Sequence, residues 1–211
     1  EGLFAAGECE YQYHGANRLG ANSLLSCTFG GFEAGNFASN YAKDLDKGYA
    51  DISEDVYKNQ LRAEEDLQNT LTKRDGSENA RTLHKELGEV MTANVTVVRE
   101  NKKLAETLNT ISELQDRFTK IKIPDASKWS NQSLYYTREL MYMFDLAKII
   151  TKGALNRNES RGAHYKPEFP DRNDDEWLKT TIASYKDGEP ELSYEDVDIS
   201  TYKPVLRNYS K

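Results

Sequence analysis

Apolar residues between positions 51 and 153 recur at intervals of three and four. The spacing holds over residues 51–73, from residue 80 to residue 118 with a β-branched interruption at 94–98, and over residues 131–152. Side chains three and four positions apart share one face of a helix, so each segment predicts an amphipathic helix. The short connections favour an antiparallel bundle of three long helices, one of them kinked or split in two.

The first 45 residues predict a strand, a loop and a helix. Residues 2–6 are apolar and short enough for a strand, whereas residues 11–22 are rich in glycine and asparagine, which form turns. Asn22 or Ser23 is a suitable N-cap for a helix over residues 23–45. A helix start fed by such a loop favours anions, because its unpaired N–H groups and its dipole point the same way.

Three glycines lie inside this predicted helix, at Gly30, Gly31 and Gly35. Each costs about 1 kcal/mol relative to alanine in a helix, so their presence needs a reason. We expect close packing of the helix on a cofactor or on another backbone.

The last part of the chain, residues 156–211, changes character. Acidic and basic residues alternate around Gly162, Pro167 and Pro170, as expected for a polar loop held by ion pairs. A short helix is predicted over residues 175–181, capped by Asn173 or Asp174, and a hairpin over residues 181–195. We therefore expect three regions: residues 1–45, a helical domain over 46–155, and a small α+β segment over 156–211.

The composition argues against several classes of protein and of site. The net charge of −7 and the pI near 5.2 argue against a general nucleic-acid binder, which needs a basic surface for phosphates. The two cysteines are too few for a disulfide scaffold, and no run reaches the ~18 apolar residues of a membrane span. His84 has no partner at metal-ligand spacing, so we predict no metal site.

Two sequence blocks carry a resemblance to a known family. The first is GLFAAGE followed by HGANRLGANSLL, and the second is NRNESRGAHYKPEFPDRNDDEWLKTT at residues 156–181. In this order and at this separation they resemble the flavoprotein subunits of succinate dehydrogenase and fumarate reductase. The first block alone also suits L-aspartate oxidases. Those enzymes have an acidic residue after SLL, where this chain has Ser26, so the dehydrogenase is favoured.

The resemblance implies roles for four residues of the first block. Glu8 matches the acidic residue that accepts a hydrogen bond from the flavin ribityl hydroxyls. Ser23 and Leu24 match the helix start whose backbone N–H groups face the flavin pyrimidine ring. Arg18 matches the arginine that binds a carboxylate of the dicarboxylate substrate. The proton-accepting arginine of the family would lie upstream, so no catalytic residue is predicted in this chain.

In the second block, Arg161, Gly162 and His164 match the family signature. By resemblance they dock the C-terminal segment onto the flavin domain. A packing and ion-pair role for His164 is favoured over a catalytic one.

The resemblance also implies what the intact protein does. The chain starts without Met inside a strand motif, so we expect a C-terminal fragment of a longer protein whose GxGxxG unit lies upstream. The parent would oxidise succinate to fumarate by hydride transfer to FAD and pass electrons to an iron–sulfur subunit, a membrane cytochrome b anchor and quinone. It would lie peripherally on the cytoplasmic side of the membrane.

Three alternatives remain: an L-aspartate oxidase, a fumarate reductase running in reverse, and a helical interaction module without chemistry. The fragment alone is expected to show no turnover and to bind no FAD tightly.

Overall fold

A computed structural model of the chain describes residues 2–10, 12–127, 129–186 and 188–205. These residues are mostly helical, with one small antiparallel sheet, which confirms the predicted class. The helices are α1 (Asn22–Lys43), α2 (Glu54–Lys73), α3 (Ala80–Asn94), α4 (Asn101–Phe118), α5 (Gln132–Asn156) and α6 (Asp174–Trp177), and the strands are β1 (Lys179–Lys186) and β2 (Glu189–Asp196). Short 3₁₀ helices lie at Gly7–Cys9, Gln12–His14 and Tyr49–Asp51.

The middle of the chain contains four helices, α2 to α5, and the predicted bundle of three long helices is not confirmed. The β-branched interruption separates α3 from α4 completely. Val95 is buried there, and Val98 forms a parallel bridge with Tyr165. The Arg99 amide also donates to the Tyr165 carbonyl over 2.9 Å. The Val95 amide still donates to the Met91 carbonyl of the last turn of α3 over 2.9 Å, so the chain leaves the helix after Val95 and pairs with another segment only at Val98 and Arg99.

Two details of the N-terminal prediction are wrong. Residues 2–6 form no strand, because a strand needs a neighbouring chain for its backbone hydrogen bonds and these residues find none in the described part of the protein. The residue that precedes α1 is Ala21, with φ 66° and no side-chain capping bond, and neither Asn22 nor Ser23 is the N-cap. The predicted end of this helix, near residue 45, agrees with the observed end at Lys43 to within two residues.

The chain divides into two compact units, and α3, α4 and α5 contribute residues to both. Unit 1 comprises Glu1–Leu87 and Glu113–Met141, and unit 2 comprises Gly88–Ser112 and Tyr142–Lys211. In unit 1, the buried side chains include Leu71, Leu83 and Ile121. In the same unit, Arg117 donates hydrogen bonds to the carboxylates of Glu78 and Glu86. The predicted boundaries near residues 45 and 155 stay a prediction.

In unit 2, the apolar core contains Val95, Leu104 and Ala154, with Met91 and Leu155 packed against it. In the same unit, β1 and β2 pair antiparallel, from Lys179 opposite Asp196 to Lys186 opposite Glu189. This pairing confirms the predicted hairpin. Asp187 of the predicted turn lies outside the described residues.

The C-terminal helix was predicted too long. Asn173 caps α6, since its Oδ1 accepts from the Glu176 amide over 3.2 Å, as predicted. The helix ends at Trp177, not near residue 181, because β1 begins at Lys179.

The described residues contain neither a membrane-spanning helix nor a cluster of metal ligands. None of the helices in the described ranges is long and apolar enough to cross a bilayer. Within the same ranges, no group of three or more histidine, cysteine or carboxylate side chains is arranged to hold a metal ion.

Candidate functional site

The HGANR loop consists of two consecutive turns with Arg18 between them. The Asn17 amide donates to the His14 carbonyl over 3.3 Å, and the Asn22 amide donates to the Leu19 carbonyl over 3.3 Å. The backbone is left-handed at Gly15, with φ 56°, and at Ala21. Positive φ at a non-glycine residue is uncommon and costs energy, so the second turn is held by its surroundings.

Arg18 lies exposed on this loop. Its guanidinium makes no hydrogen bond or ion pair with any residue that the structure describes. A guanidinium offers several N–H donors in a planar fork that matches a carboxylate. Arg18 is therefore free to bind an anionic ligand.

The start of α1 supplies further donors. Neither the Ser23 amide nor the Leu24 amide finds an acceptor within the described ranges, as is usual for the first turn of a helix. The helix dipole adds partial positive charge at the same place. Five residues after Arg18, the chain thus presents unpaired N–H groups that favour an electron-rich or anionic group.

Glu8 lies on the 3₁₀ helix Gly7–Cys9, which contacts α1. Its side chain is exposed, and its carboxylate has no hydrogen-bonding partner among the described residues. An ionised carboxylate only accepts hydrogen bonds, so Glu8 is suited to hydroxyl groups of a ligand. All four predicted site residues thus belong to unit 1, and the Glu8 carboxylate, the Arg18 guanidinium and the amides of Ser23 and Leu24 have no hydrogen-bonding partner among the described residues.

One of the three glycines inside α1 has a close neighbour. Gly30 is buried, and a Cβ at this position would lie 2.8 Å from Oε2 of Glu10. A hydrogen bond with Glu10 raises the pKa of the neighbouring Tyr13. Nothing described lies within 4 Å of a Cβ at Gly31 or Gly35, and the neighbours of Gly30 are side chains, so the expected packing on a cofactor or on another backbone is not seen among the described residues.

Sequence reasoning missed a contact across the loop. Nε2 of His14 lies 3.0 Å from Oγ of Ser26, and this hydroxyl donates to the Ser23 carbonyl over 2.9 Å. The sequence indicated Ser26 only as the position at which L-aspartate oxidases have an acidic residue. The helical spacing of Ser23 and Ser26 was the available signal that the serine faces the start of the helix.

The second sequence block forms an ion-pair network around a buried carboxylate. Glu159 is 0% exposed. Its oxygens accept from Nη1 of Arg157 over 2.7 Å, from Nε of Arg161 over 2.8 Å and from the Asn173 amide over 3.0 Å. Arg161 also donates to Asp174 over 2.6 Å. Alternating charge predicted ion pairs here, but it did not show that Glu159 would be the buried centre.

His164 lies inside unit 2. Its amide and carbonyl pair with the carbonyl and amide of Arg161, and its Nε2 lies 3.0 Å from the Arg157 carbonyl. Nδ1 lies 2.6 Å from Nη1 of Arg99, so it accepts from that guanidinium. Burial, with a smaller effect of nearby cations, Arg99 first, lowers the pKa of His164 to about 4, although the hydrogen bond to the Arg157 carbonyl opposes this shift. The ring is neutral at pH 7, so His164 packs and forms hydrogen bonds inside unit 2, and the ion-pair part of its predicted role is not seen among the described residues.

Lys166 is a second buried base of this region, with 0% exposure. Its Nζ donates to the Leu155 carbonyl over 2.9 Å and to Oδ1 of Asn158 over 3.1 Å. Burial lowers its pKa to about 8. The motif residues therefore bind one another and the end of α5, and the predicted docking onto a flavin domain stays a prediction.

The lowered pKa of His164 predicts acid-sensitive stability. In the unfolded chain the ring takes up a proton near pH 6.5, whereas in the folded chain it does so near pH 4. His164 therefore leaves the free energy of unfolding unchanged above pH 6.5. As pH falls from 6.5 towards 4, it lowers that free energy by on the order of 2–3 kcal/mol, because the unfolded chain binds the proton more tightly. Urea unfolding at a series of pH values measures this slope.

We expect His164→Gln to remove that part of the slope. His84→Gln, which removes a histidine from unit 1, is the matched control and should keep it. An unchanged slope in His164→Gln would assign the acid sensitivity to other groups.

Comparison with known proteins decides the family. A family model described as the C-terminal part of the fumarate reductase flavoprotein matches residues 84–209. The chain belongs to the succinate dehydrogenase and fumarate reductase flavoprotein family. It is 55% identical over 212 residues to the succinate dehydrogenase flavoprotein subunit of Bacillus subtilis, covering 100% of this chain and 36% of that protein. The resemblance found in the sequence is confirmed.

Other members of the succinate dehydrogenase and fumarate reductase flavoprotein family agree. The fumarate reductase flavoprotein subunit of Escherichia coli is 36% identical, over 99% of this chain and 35% of that protein. A solved E. coli quinol fumarate reductase structure superposes with a TM-score of 0.89 at 35% identity, over 97% of this chain and 35% of that one. Mycobacterium smegmatis Sdh1 gives a TM-score of 0.81 at 27% identity, over 93% and 32%. The chain spans about a third of the length of these relatives.

The family consists of FAD-dependent oxidoreductases, and the first block of this chain fits such a cofactor. Unpaired amides at Ser23 and Leu24 and the unpaired Glu8 carboxylate are the donors and the acceptor that ring oxygens and ribityl hydroxyls require.

Proposed function

We propose that this chain is the C-terminal part of the flavoprotein subunit of a succinate dehydrogenase. The intact subunit oxidises succinate to fumarate, and FAD, when bound, accepts the hydride. The observation that carries the proposal is the unpaired Arg18 guanidinium just ahead of the unpaired amides that begin α1. The 55% identity to the B. subtilis succinate dehydrogenase subunit supports succinate as the substrate.

Arg18 binds one carboxylate of the dicarboxylate. Two parallel N–H···O bonds fix the orientation of that carboxylate, which a single lysine ammonium would not do. A fixed carboxylate in turn fixes the C–H bond that is broken, and such positioning lowers the barrier. The base that removes the proton lies outside this chain in the proposal.

Glu8, Ser23 and Leu24 contact the cofactor. Glu8 accepts hydrogen bonds from ribityl hydroxyls, and the amides of Ser23 and Leu24 donate to the pyrimidine ring. Donors and a helix dipole at that edge stabilise negative charge that develops during hydride transfer. Residues 1–45 thereby form the end of the FAD-binding domain, residues 46–155 a helical domain, and residues 156–211 a C-terminal segment.

The proposed partners are those that the family resemblance implies. Electrons leave through an iron–sulfur subunit and a membrane cytochrome b anchor to a quinone, with the flavoprotein peripheral on the cytoplasmic side of the membrane. A related solved structure is a quinol–fumarate reductase with menaquinol molecules, with a TM-score of 0.88, which supports a quinone acceptor. The 211-residue chain alone shows no turnover and holds no FAD tightly.

Anaerobic titration of the intact flavoprotein tests the substrate. We expect succinate to bleach the flavin absorbance and L-aspartate to leave it unchanged, because the chain is 55% identical to a succinate dehydrogenase subunit. Bleaching by aspartate that oxygen reverses would establish the oxidase instead. Fumarate reduction faster than succinate oxidation in the assembled complex would establish the reverse direction.

A further inference from the structure

The side chain of His14 connects the loop that carries Arg18 to α1. Its Nε2 lies 3.0 Å from Oγ of Ser26, one turn inside the helix. Ser26 is in turn bonded to the Ser23 carbonyl over 2.9 Å. His14, Ser26 and Ser23 thus form a continuous chain of hydrogen bonds from the loop to the helix start, which we call the loop brace.

The direction of these bonds assigns the histidine proton. A serine hydroxyl carries one hydrogen, and Ser26 donates it to the Ser23 carbonyl. The oxygen of Ser26 can therefore only accept from His14, so Nε2 of the ring carries a proton. The brace is a donor from the loop to an acceptor on the helix.

The brace reaches Arg18 through the first turn of the loop. The His14 carbonyl accepts from the Asn17 amide, the residue immediately before Arg18. On the other side, the Leu19 carbonyl accepts from the Asn22 amide, where α1 begins. Both ends of the short segment around Arg18 are therefore tied, one by the second turn and the other by the His14 side chain.

We propose that His14 is a positioning residue for dicarboxylate binding, which acts by holding the Arg18 loop against the first turn of α1 through Ser26. The inference rests on the proposed function, because it takes Arg18 as the carboxylate ligand. It adds a residue pair that sets where the guanidinium lies relative to the amides of Ser23 and Leu24.

A double-mutant cycle in the intact flavoprotein tests the brace. We expect His14→Ala and Ser26→Ala each to raise the KM for succinate about tenfold, with kcat falling less than threefold, because the loop loosens while the flavin stays bound. The double variant should be no worse than either single one, because both remove the same bond. The dissociation constant of malonate, a diacid that cannot be oxidised in this way, should rise in parallel.

Two further variants separate positioning from general damage. His14→Gln keeps an N–H donor near the position of Nε2 and should recover most of the affinity. Thr28→Ala removes a comparable side-chain bond within α1, from Oγ1 of Thr28 to the Leu24 carbonyl over 2.8 Å, without touching the loop, and should leave KM unchanged. FAD content and the thermal midpoint are measured for every variant.

The outcomes are distinct. A normal KM in His14→Ala, a double variant that loses the product of the two single effects, or a His14→Gln variant as weak as His14→Ala would each overturn the brace. Failure of succinate to reduce the unmodified protein would overturn the proposed function instead. In that case nitrogen NMR of the His14 ring still judges the brace: a protonated Nε2 that changes in Ser26→Ala supports it, and an unprotonated Nε2 overturns it.

Discussion

Replacing Glu159 with glutamine should lower the free energy of unfolding of unit 2 by about 3–5 kcal/mol. The side chain is 0% exposed, and its two oxygens accept from Arg157, Arg161 and the Asn173 amide. Burial alone would raise the pKa of Glu159, but the hydrogen bonds from Arg161, the Asn173 amide and Arg157 hold it below its usual value. A neutral amide removes the charge that two guanidinium groups share, and its NH₂ group faces their donors.

Urea unfolding followed by the fluorescence of Trp177, whose ring lies beneath Arg157, measures the loss. Glu195→Gln on β2 is the matched control, since this glutamate is exposed, and it should change stability by less than about 0.5 kcal/mol. A loss below about 1 kcal/mol in Glu159→Gln would show that the network contributes little to the fold.

Replacing Arg18 with alanine should lower kcat/KM for succinate in the intact flavoprotein by about 100-fold or more. Two charge-assisted hydrogen bonds of about 1.5–3 kcal/mol each are lost, and each 1.36 kcal/mol is a factor of ten. Arg18→Lys keeps the charge without the fork, so we expect an intermediate loss of about tenfold. Neither change should lower the thermal midpoint, because Arg18 pairs with none of the residues that the structure describes.

Arg62→Ala, which removes an exposed arginine from α2, is the control for loss of a surface charge. It should leave the steady-state kinetics unchanged. Turnover of Arg18→Ala within threefold of the unmodified protein would remove this residue from the substrate site, whatever its effect on expression.

The helices could be predicted because their apolar residues repeat with a helical period, and that signal is local. The prediction of a strand over residues 2–6 was wrong. Apolar character permits a strand, but a strand forms only where a neighbouring chain pairs with it. The start of α1 was misplaced for a related reason. Asn22 and Ser23 have favourable capping side chains, yet the loop places Ala21 at the helix boundary with a positive φ.

The sequence likewise predicted only part of the candidate site. Two blocks of sequence resemble those of a known family, and this resemblance alone, not the spacing of the residues, led to the prediction of Arg18, Glu8, Ser23 and Leu24 as site residues. The hydrogen bond from His14 to Ser26 joins residues 12 positions apart across a loop, so no local pattern indicates it. Likewise, alternating charge in the second block predicted ion pairs but not which carboxylate would be buried.

The connection between α3 and α4 has a consequence for incomplete chains. Val98 and Arg99 pair with Tyr165, and the Arg99 guanidinium donates to His164, so this link leans on residues that are translated some 65 positions later. A polypeptide cut short by a premature stop codon after α5 would leave the link without its acceptors. The C-terminal signature therefore completes the folding of an earlier stretch of its own polypeptide.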